Sequence, residues 1–266
     1  MELDITGAKF TVEEGKTGPA CFVLGVRKSG STMFNTACHM LAEANDVNFV
    51  DVAQPLFQAN VPAGAWTRER HINRLIYPGN AYGGFRVYPA GLRENRRFRL
   101  GKKILLVRDP RDALVSEYFS NAYSHRLPKA SGETGVRERL LAQREKALGS
   151  SVDAYVLERA ELMRRTIGAY EEILEDQGLL VLRYEDIIFA KEKLLRDVAA
   201  HFRWRCEAED LARILARIDV RPEAERQTEF IRKVTPGDHR EKLGGDTIAR
   251  LNETFSGLMS RLGYAA

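Results

Sequence analysis

Short apolar runs alternate with segments of helical periodicity along this chain. Apolar runs of strand length, typical of strands buried on both faces, occur at residues 20–26, 104–107 and 179–183, and residues 47–52 look like another short strand. Apolar residues recur at three- and four-residue spacing after the first run and over 152–174, 190–202, 208–218 and 247–262, which predicts amphipathic helices. This alternation predicts an α/β fold with a central, mostly parallel sheet flanked by helices.

The composition fits one domain of this class. The chain has 266 residues, 44% of them hydrophobic, with no repeat, low-complexity tract or linker, so we expect a single domain over 1–266. No window approaches the roughly 18 consecutive apolar residues of a membrane span, and the first residues lack a signal-peptide pattern. Three cysteines without metal-ligand spacing indicate reduced thiols. We therefore expect a cytoplasmic protein without a membrane span.

Residues 53–84 interrupt the alternation of strands and helices. They hold three prolines and four glycines between scattered aromatic residues, and only 67–76 has the pattern of a short helix. Such a segment is usually a lid or binding loop, so we expect it to line an acceptor pocket, although its aromatic residues can equally anchor the loop. Residues 85–99 carry five arginines but no nucleic-acid-binding module, so we expect no nucleic-acid partner.

Residues 21–36 read as a strand, an anion-binding loop and a helix. A loop at the start of a helix offers free backbone N–H groups and the positive end of the helix dipole, which both favour phosphate or sulfate. Lys28 adds a positive charge, and three hydroxyl groups add donors: Ser29, Ser31 and Thr32. The net charge of +4 fits an anionic ligand without identifying it. The alternative is an ordinary strand-to-helix turn with serine as the N-cap.

The spacing within this loop argues against a Walker A site. Gly25 and Gly30 are five residues apart, as in that pattern, but Ser31 follows the second glycine where the pattern requires lysine. A P-loop kinase or nucleoside triphosphatase would also carry a Mg²⁺-binding carboxylate after an apolar strand, whereas Arg108 follows the strand at 104–107. A P-loop-type nucleotide-dependent kinase is therefore an alternative function rather than the first one.

A second candidate anion site begins at Arg108. Pro110 fits the first turn of a helix, and Asp112 complements the helix dipole there, so Arg108 ends a strand close to the start of the helix that carries Ser116. An arginine fork and a hydroxyl group can hold a phosphate through charge-assisted hydrogen bonds. The alternative is a surface arginine paired with Asp109 or Asp112, and a helix serine without a ligand.

Both stretches resemble motifs of the sulfotransferases that use 3′-phosphoadenosine 5′-phosphosulfate (PAPS). The run 27–33 is similar to their 5′-phosphosulfate loop, typically Pro-Lys-Ser-Gly-Thr-Thr-Trp. Arg27 replaces the proline, and Met33 replaces a tryptophan that stacks on adenine in many relatives. Arg108 and Ser116 match a 3′-phosphate motif in which an arginine and a serine eight residues later hold that phosphate.

Two later stretches complete the resemblance. Tyr184, in Tyr-Glu-Asp after the strand at 179–183, is similar to a tyrosine that contacts the adenine nucleotide, although a strand-end tyrosine by itself is commonly a packing residue. Residues 232–238 resemble an Arg-Lys-Gly…Gly-Asp loop that closes over the 3′-phosphate and adenine, with Val234 in place of the first glycine. A basic pair alone would read as a solvated loop. The four motifs occur in order over residues 21–262.

The resemblance implies a P-loop-kinase-like sulfotransferase architecture and an enzyme that moves the sulfuryl group of PAPS to a hydroxyl of a small-molecule or carbohydrate acceptor. PAP is then the product, transfer is in line, and no metal is needed. Lys28 would neutralise the leaving phosphate. The implied cofactor-binding residues are Arg27, Lys28, Ser29, Gly30, Ser31, Thr32, Met33, Arg108, Ser116, Tyr184, Arg232 and Lys233.

The general base for the acceptor hydroxyl is less well defined. Some relatives place a histidine after the third strand, where this chain has residues 86–89 without one, and others place a glutamate just beyond the second strand, near Asp51. We predict Asp51 as the catalytic base and His71 as the second candidate, with a strand-end cap and an exposed loop residue as the respective alternatives. A non-catalytic nucleotide or polyanion binder would lack this base. The acceptor and the oligomeric state stay open.

Overall fold

The structure is a computed structural model that describes residues 1–14, 16–125, 127, 136–229 and 231–264. The strands are β1 (Glu2–Ile5), β2 (Ala8–Thr11), β3 (Cys21–Gly25), β4 (Phe49–Asp51), β5 (Ala81–Phe85), β6 (Lys102–Val107) and β7 (Leu179–Arg183). β1 and β2 form an antiparallel hairpin, and the other five form a parallel sheet in the order β4-β5-β3-β6-β7. The predicted α/β domain with a central, mostly parallel sheet is confirmed.

Helices connect and cover these strands. The α-helices are α1 (Ser31–Glu43), α2 (Ala53–Gln58), α3 (Ala63–Trp66), α4 (Arg96–Leu100), α5 (Pro110–Phe119), α6 (Val136–Leu148), α7 (Val152–Gly168), α8 (Tyr184–Ile187), α9 (Lys191–Phe202), α10 (Ala208–Ile218), α11 (Asp238–Lys242) and α12 (Gly245–Arg261). Shorter 3₁₀ helices span Arg70–Leu75, Ala90–Leu92 and Ala169–Ile173, and a π-helix over Ser120–Ser124 prolongs α5. No helix within the described ranges is both long and apolar enough to span a membrane.

Each face of the sheet buries its own apolar layer. Successive side chains of a strand point to opposite faces, so Phe22 and Leu24 of β3 pack with helices α5, α7 and α12, whereas Cys21 and Val23 pack with α1, α9 and α10. All five residues of β3 are buried, as expected for a strand at the centre of a three-layer domain. The chain therefore fixes the carboxyl end of β3 within a rigid frame.

The strand order opens a crevice at the carboxyl edge of the sheet. From β3 the chain runs through α1 to β4, returns at β5, and then crosses to β6 on the other side of β3. The chain leaves β3 toward β4 on one side of the sheet and leaves β6 toward β7 on the other side. A crevice therefore opens between the carboxyl ends of β3 and β6, and this is the usual ligand site of an open parallel sheet. The two predicted anion motifs begin here, at Val26 and Arg108.

The irregular segment expected at 53–84 ends earlier than predicted. Residues 53–80 hold α2, α3 and the 3₁₀ helix Arg70–Leu75, but Ala81–Phe85 is a fully buried strand next to β3. The glycines that suggested a loop serve close packing, because a Cβ on Gly83 would collide with Asn35 and Phe49, and Gly84 has a φ of 83°. The expected domain limits, 1–266, include 15, 126, 128–135, 230 and 265–266, which lie outside the described residues.

Candidate active site

The loop after β3 has the shape that its sequence predicted. Val26 extends the strand by donating its N–H to the Leu106 carbonyl at 2.9 Å, and left-handed backbone at Lys28 (φ 66°) and Gly30 (φ 81°) then turns the chain into α1. Gly30 is needed for space as well, because a Cβ there would lie 3.0 Å from the Tyr184 ring. The turn therefore fixes where helix α1 begins relative to strand β7.

Ser29 shapes the loop from within. The side chain is fully buried, and its hydroxyl donates to the Val26 carbonyl at 2.6 Å. The hydroxyl hydrogen is therefore used inside the turn and not offered to a ligand, contrary to the prediction that Ser29 is a donor. The same carbonyl also accepts the N–H of Ser29 at 3.2 Å, so this serine closes the turn with both its backbone and its side-chain donor.

The N-terminus of α1 has the features that favour an anion. Helix hydrogen bonding starts with Phe34, whose N–H donates to the Gly30 carbonyl at 3.1 Å, so the N–H groups of Ser31, Thr32 and Met33 precede it. The N-cap residue, Gly30, has no side chain to cap this end, and the first turn has no acidic residue. The dipole and these N–H groups together favour a negative charge.

Lys28 carries its charge in crowded, positively charged surroundings. Burial is the main cause that lowers its pKa, and the neighbouring charges of Arg27, Arg108 and Arg86 add to it, so that the pKa is about 7 although Glu117 opposes the shift. An anion bound against these groups would offset the repulsion that depresses the pKa. The site is thus arranged for a ligand of opposite charge.

Arg108 joins this loop to strands β6 and β7. The side chain is only 6% exposed, donates from Nη1 to the Lys28 carbonyl at 3.2 Å, and lies over the Tyr184 ring with Cζ 4.4 Å from the ring centroid. Its contact with Asp112 is loose, at 3.8 Å, while Asp109 caps α5 and pairs with Arg111. The alternative of a surface arginine is therefore wrong. Its buried Nε has no hydrogen-bond partner among the described residues.

Tyr184 lies where the loops meet. It begins α8 directly after β7, its ring packs against Gly30, and its hydroxyl donates to the Val234 carbonyl at 3.1 Å. A Cβ on Gly30 would also lie 3.9 Å from the Met33 methyl, so Met33 and the tyrosine ring flank the same glycine. Ser116 lies on the partly exposed side of α5. The structure thus brings together the four stretches that the motifs predicted.

Arg232 and Lys233 lie in a network with carboxylates. Arg232, 9% exposed, pairs with Glu225 and Asp238 and lies over the Phe119 ring of α5 with Cζ 4.2 Å from the centroid. Lys233 pairs with Asp238 at 3.1 Å and with Glu241 at 2.7 Å. These ion pairs hold both cations on the α5 side of the crevice.

Asp112 anchors this late loop to α5. Its carboxylate accepts hydrogen bonds from the N–H groups of Gly237 at 2.6 Å and His239 at 2.9 Å, and its Oδ1 lies 2.6 Å from Nδ1 of His239. Burial raises the pKa of Asp112, but these hydrogen bonds and the Arg108 charge outweigh burial and lower it to about 2. Asp112, which we predicted to complement the dipole of α5, therefore mainly holds the loop around Gly237 and His239 against that helix.

Asp51 is bonded on both carboxylate oxygens. Its Oδ1 accepts the N–H of Gln54 at 2.9 Å at the start of α2, and its Oδ2 accepts Nδ2 of Asn35 at 2.7 Å. Asn35 in turn accepts the N–H of Gly84 at 2.7 Å. Asp51 thus ties α1, α2 and β5 together, as the alternative of a strand-end cap predicted.

His71 lies on the 3₁₀ helix Arg70–Leu75, which packs on β1 and on the 3₁₀ helix Ala90–Leu92. The side chain is 70% exposed, and its Nδ1 lies 3.3 Å from the Glu69 carboxylate. These surroundings match the alternative of an exposed loop residue. The structure does not bring His71 into contact with the Lys28 loop.

Two residues of the crevice were not found by the motifs. Glu117, 2% exposed, accepts hydrogen bonds from Arg159 at 2.8 Å and Tyr155 at 3.2 Å, and the charges of Arg27, Arg159 and Lys28 lower its pKa against the effect of burial. Burial, and then the positive charges of Lys28 and of three arginines, lower the pKa of His125 to about 4. The sequence signal for Glu117 is an acidic residue among apolar neighbours, between the run Ala113–Val115 and Tyr118–Phe119.

Comparisons with known proteins agree with this geometry. Residues 19–263 match the family described as "Sulfotransferase domain". A search of curated proteins by sequence found no match. Mouse sulfotransferase SULT7A1 complexed with PAP has a similar structure, with a TM-score of 0.60 at 14% identity over 97% of this chain and 94% of that one.

Retinol dehydratase is similar as well. Its complex with androsterone and the inactive cofactor PAP superposes with a TM-score of 0.52 at 16% identity, and its complex with retinol and PAP with 0.51 at 15% identity. Each covers 92% of this chain and 82% of the other. At such low identities the structural similarity shows the fold alone, whereas the family match over residues 19–263 shows the family. The chain therefore belongs to the sulfotransferase family of enzymes.

Proposed function

We propose that the protein transfers the sulfuryl group of PAPS to a hydroxyl group of a small-molecule or carbohydrate acceptor and releases PAP. The observation that carries this proposal is Arg108, which is buried against the Lys28 carbonyl and the Tyr184 ring with its Nε unpartnered in the described part of the chain. A buried guanidinium with an unfilled donor is costly unless a ligand completes its bonds. A phosphate group meets that need through its several acceptor oxygens.

The residues present fit a donor with two separate anionic groups. The N-terminus of α1, with Lys28, forms one seat, and Arg108 with Ser116 of α5 forms the other. The Gly30 turn leaves its Cα bare against Tyr184, so the backbone can approach a ligand closely. PAPS, when bound, supplies an activated sulfuryl group whose leaving group is a phosphate.

Lys28 would carry the electrostatic part of catalysis. In sulfuryl transfer, as in phosphoryl transfer, negative charge builds on the bridging oxygen as the leaving group departs. The Lys28 ammonium and the free N–H groups of Ser31 and Thr32 would stabilise that charge, because they are held in place before the reaction begins. Arg27 adds a second positive charge on the same loop.

Arg108, Ser116, Arg232 and Lys233 would hold the 3′-phosphate. Arg232 and Lys233 now pair with Asp238, so binding would exchange a carboxylate partner for a phosphate partner. Tyr184 would contact the adenine nucleotide, with Met33 beside Gly30 at the position where relatives have tryptophan. A thioether next to an aromatic ring makes a favourable apolar contact.

We propose residues 53–80, the part of the expected 53–84 segment that precedes β5, as the acceptor-facing part of a domain that spans 1–266. Its helices connect β4 to β5 along the chain, and the carboxyl end of β4, from which they start, is at the same edge of the sheet as the Lys28 loop. Trp66 packs on Phe85 with ring centroids 6.0 Å apart and is buried, so this aromatic residue anchors the segment. Asp51 and His71 stay predictions for the general base, and their contacts favour structural roles.

Transfer of labelled sulfuryl from PAPS to a panel of phenols, alcohols and anionic sugars tests this function. The wild-type protein should label at least one hydroxyl class, and Lys28→Ala, which folds because its loop is held by backbone and by Ser29, should label none. Binding of PAP without transfer to any class would favour a non-catalytic nucleotide binder. Transfer by Lys28→Ala at the wild-type rate would contradict the assigned role of this lysine.

A further inference from the structure

Glu225 bridges two cations on the α5 side of the crevice. Its carboxylate pairs with the guanidinium of Arg232, and its Oε2 accepts a hydrogen bond from Nζ of Lys242 at 2.8 Å. Both cations lie over the ring of Phe119, with Cζ of Arg232 4.2 Å and Nζ of Lys242 5.8 Å from the ring centroid. A carboxylate therefore already occupies one of the cations that we propose for the 3′-phosphate.

Glu225 comes from an exposed stretch that precedes the late loop. Residues 223–229, between α10 and α11, form no helix or strand, and all of them except Glu225 are exposed. The stretch turns back on itself, because the N–H of Arg226 donates to the Arg232 carbonyl at 3.1 Å and the N–H of Glu229 donates to the Arg226 carbonyl at 3.0 Å. The Glu225 side chain is thus the point at which this stretch is attached to a buried cation.

Arg232 is linked to the other residues of the proposed 3′-phosphate site. Two residues after it, the Val234 carbonyl accepts the hydroxyl of Tyr184, and the Arg108 guanidinium lies over the ring of that tyrosine. The aromatic ring beneath Arg232 belongs to α5, the helix that carries Ser116. One tyrosine and one helix therefore connect the cation that Glu225 engages with Arg108 and Ser116.

Glu225 is a charged competitor for any anion at Arg232. Burial raises the pKa of Glu225, but the hydrogen bonds and charges of Lys242 and Arg232 outweigh burial and lower it, so the side chain is a carboxylate at pH 7. The guanidinium uses Nη1 for Glu225 and Nη2 for Asp238. A phosphate can bind both nitrogens of this fork only where a carboxylate leaves.

Of the two carboxylates, Glu225 is the one that can leave at the lower cost. Asp238 is 2% exposed, begins α11 and also pairs with Lys233 at 3.1 Å. The side chain of Glu225 is 23% exposed and belongs to a stretch without secondary structure. Water and a mobile backbone compensate a departing carboxylate better at the surface than in the interior.

We propose that Glu225 competes with the 3′-phosphate of the donor for Arg232, so that it occupies this cation in the free protein and leaves it when the nucleotide binds. The inference rests on the proposed use of PAPS. A site that is open only part of the time lowers the apparent affinity by the open fraction. Glu225 therefore weakens the binding of nucleotides with a 3′-phosphate, and its return to Arg232 favours the release of PAP.

Calorimetric titration of Glu225→Gln with PAP and with 5′-AMP tests the inference. The variant should bind PAP at least about fivefold more tightly than the wild type, because the amide lacks the charge that competes for Arg232. Its affinity for 5′-AMP, which has no 3′-phosphate, should stay within about twofold of wild type. Glu229→Gln is the matched control: it removes the same charge from the same stretch, where Glu229 pairs with the exposed Arg226 at 3.0 Å, and should keep both affinities.

The outcomes separate this inference from the proposed function. PAP affinity of Glu225→Gln equal to or below that of wild type would reject the competition, and an equal gain in Glu229→Gln would assign the effect to net charge instead. Failure of the wild type and both variants to bind PAP would reject the use of PAPS itself.

Limited trypsin digestion of the wild-type chain tests the displacement without a substitution. Arg226, the residue after Glu225, is exposed and offers a cleavage site before Gln227. Saturating PAP should detach Glu225 and accelerate cleavage after Arg226, as followed by mass spectrometry, whereas saturating 5′-AMP should not. Cleavage at this bond that PAP leaves unchanged or slows would contradict the departure of Glu225.

Discussion

The guanidinium of Arg108 lies over the ring of Tyr184, with Cζ 4.4 Å from the ring centroid. The two residues directly follow the neighbouring parallel strands β6 and β7, and the same tyrosine packs on Gly30 and donates its hydroxyl to the Val234 carbonyl. One aromatic ring therefore links the start of α1, the end of β6 and the late loop. Changes at any of these points should be felt at the others.

Arg108→Ala should weaken PAP binding by about 10²–10³-fold, because it removes a buried, pre-positioned cation that no other side chain replaces. Arg108→Lys should recover only part of the affinity, since lysine lacks the planar fork. Calorimetric titration with PAP measures both. Arg221→Ala is the control: this exposed arginine also lies over a ring, that of Phe189 at 5.8 Å, and should leave the affinity unchanged. Equal losses in both variants would mean that the effect is not local.

PAP binding should take up a proton near pH 8. The pKa of Lys28 is lowered to about 7 in the free site, so the side chain is mostly neutral at pH 8, and a bound phosphate would raise its pKa and return the charge. Affinity should accordingly fall as pH rises above 7. Titrations at pH 8 in buffers of different ionisation enthalpy count the protons.

The control for this prediction is Lys28→Met, which keeps the length of the side chain without a titratable group. This variant should bind PAP more weakly and without proton uptake. Uptake that persists in Lys28→Met would assign the proton to another group and contradict the account of Lys28.

Gly30→Ala should destabilise the fold by about 1–2 kcal/mol, because alanine is strained at a φ of 81° and its Cβ would meet the Tyr184 ring at 3.0 Å. PAP affinity should fall with it, since the ring must shift. Gly257→Ala, inside α12 and with open space at its Cβ, should instead stabilise by up to about 1 kcal/mol. Urea unfolding compares the two, and a neutral Gly30→Ala would count against the close approach described for this turn.

Asp112→Asn should cost about 2 kcal/mol at pH 7, the value of a pKa lowered from 3.8 to about 2. A carboxylate whose folded pKa lies below its unfolded value stabilises above that unfolded value and loses its effect as pH falls toward 2. The difference between wild type and variant should therefore shrink between pH 5 and pH 2. Unfolding in urea across this range measures it. Asp197→Asn, which removes only a solvent-accessible pair with Lys193, should cost less than about 1 kcal/mol at any pH.

Local patterns predicted most of the strands and helices. The apolar runs gave four of the five parallel strands, and the helical spacing after residue 30 placed α1 and with it the Lys28 loop. Strand β5 was missed because its glycines read as loop residues, whereas their purpose is contact with Asn35 and Asp51. These close contacts form only when β5 pairs with β4 in the folded chain, so the local sequence pattern could not predict them.

The same limit applies to single side chains. Ser29 was read as a ligand donor, but the folded turn uses its hydroxyl for the Val26 carbonyl. Glu117 has no spacing that relates it to Lys28, because its surroundings arise where α5 packs on α7 and brings Arg159 and Tyr155 onto its carboxylate. Charge proximity across distant segments is a property of the tertiary structure.

The proposed function requires that the crevice binds an adenine nucleotide through its 3′-phosphate and without a metal ion. Calorimetric titration of the protein with PAP, and separately with 5′-AMP and with ATP plus Mg²⁺, tests it without an acceptor. We predict that PAP binds at least about 10²-fold more tightly than either, because Arg108 and its neighbours meet the 3′-phosphate. Preference for ATP with Mg²⁺ would contradict this account and favour a kinase on the same scaffold.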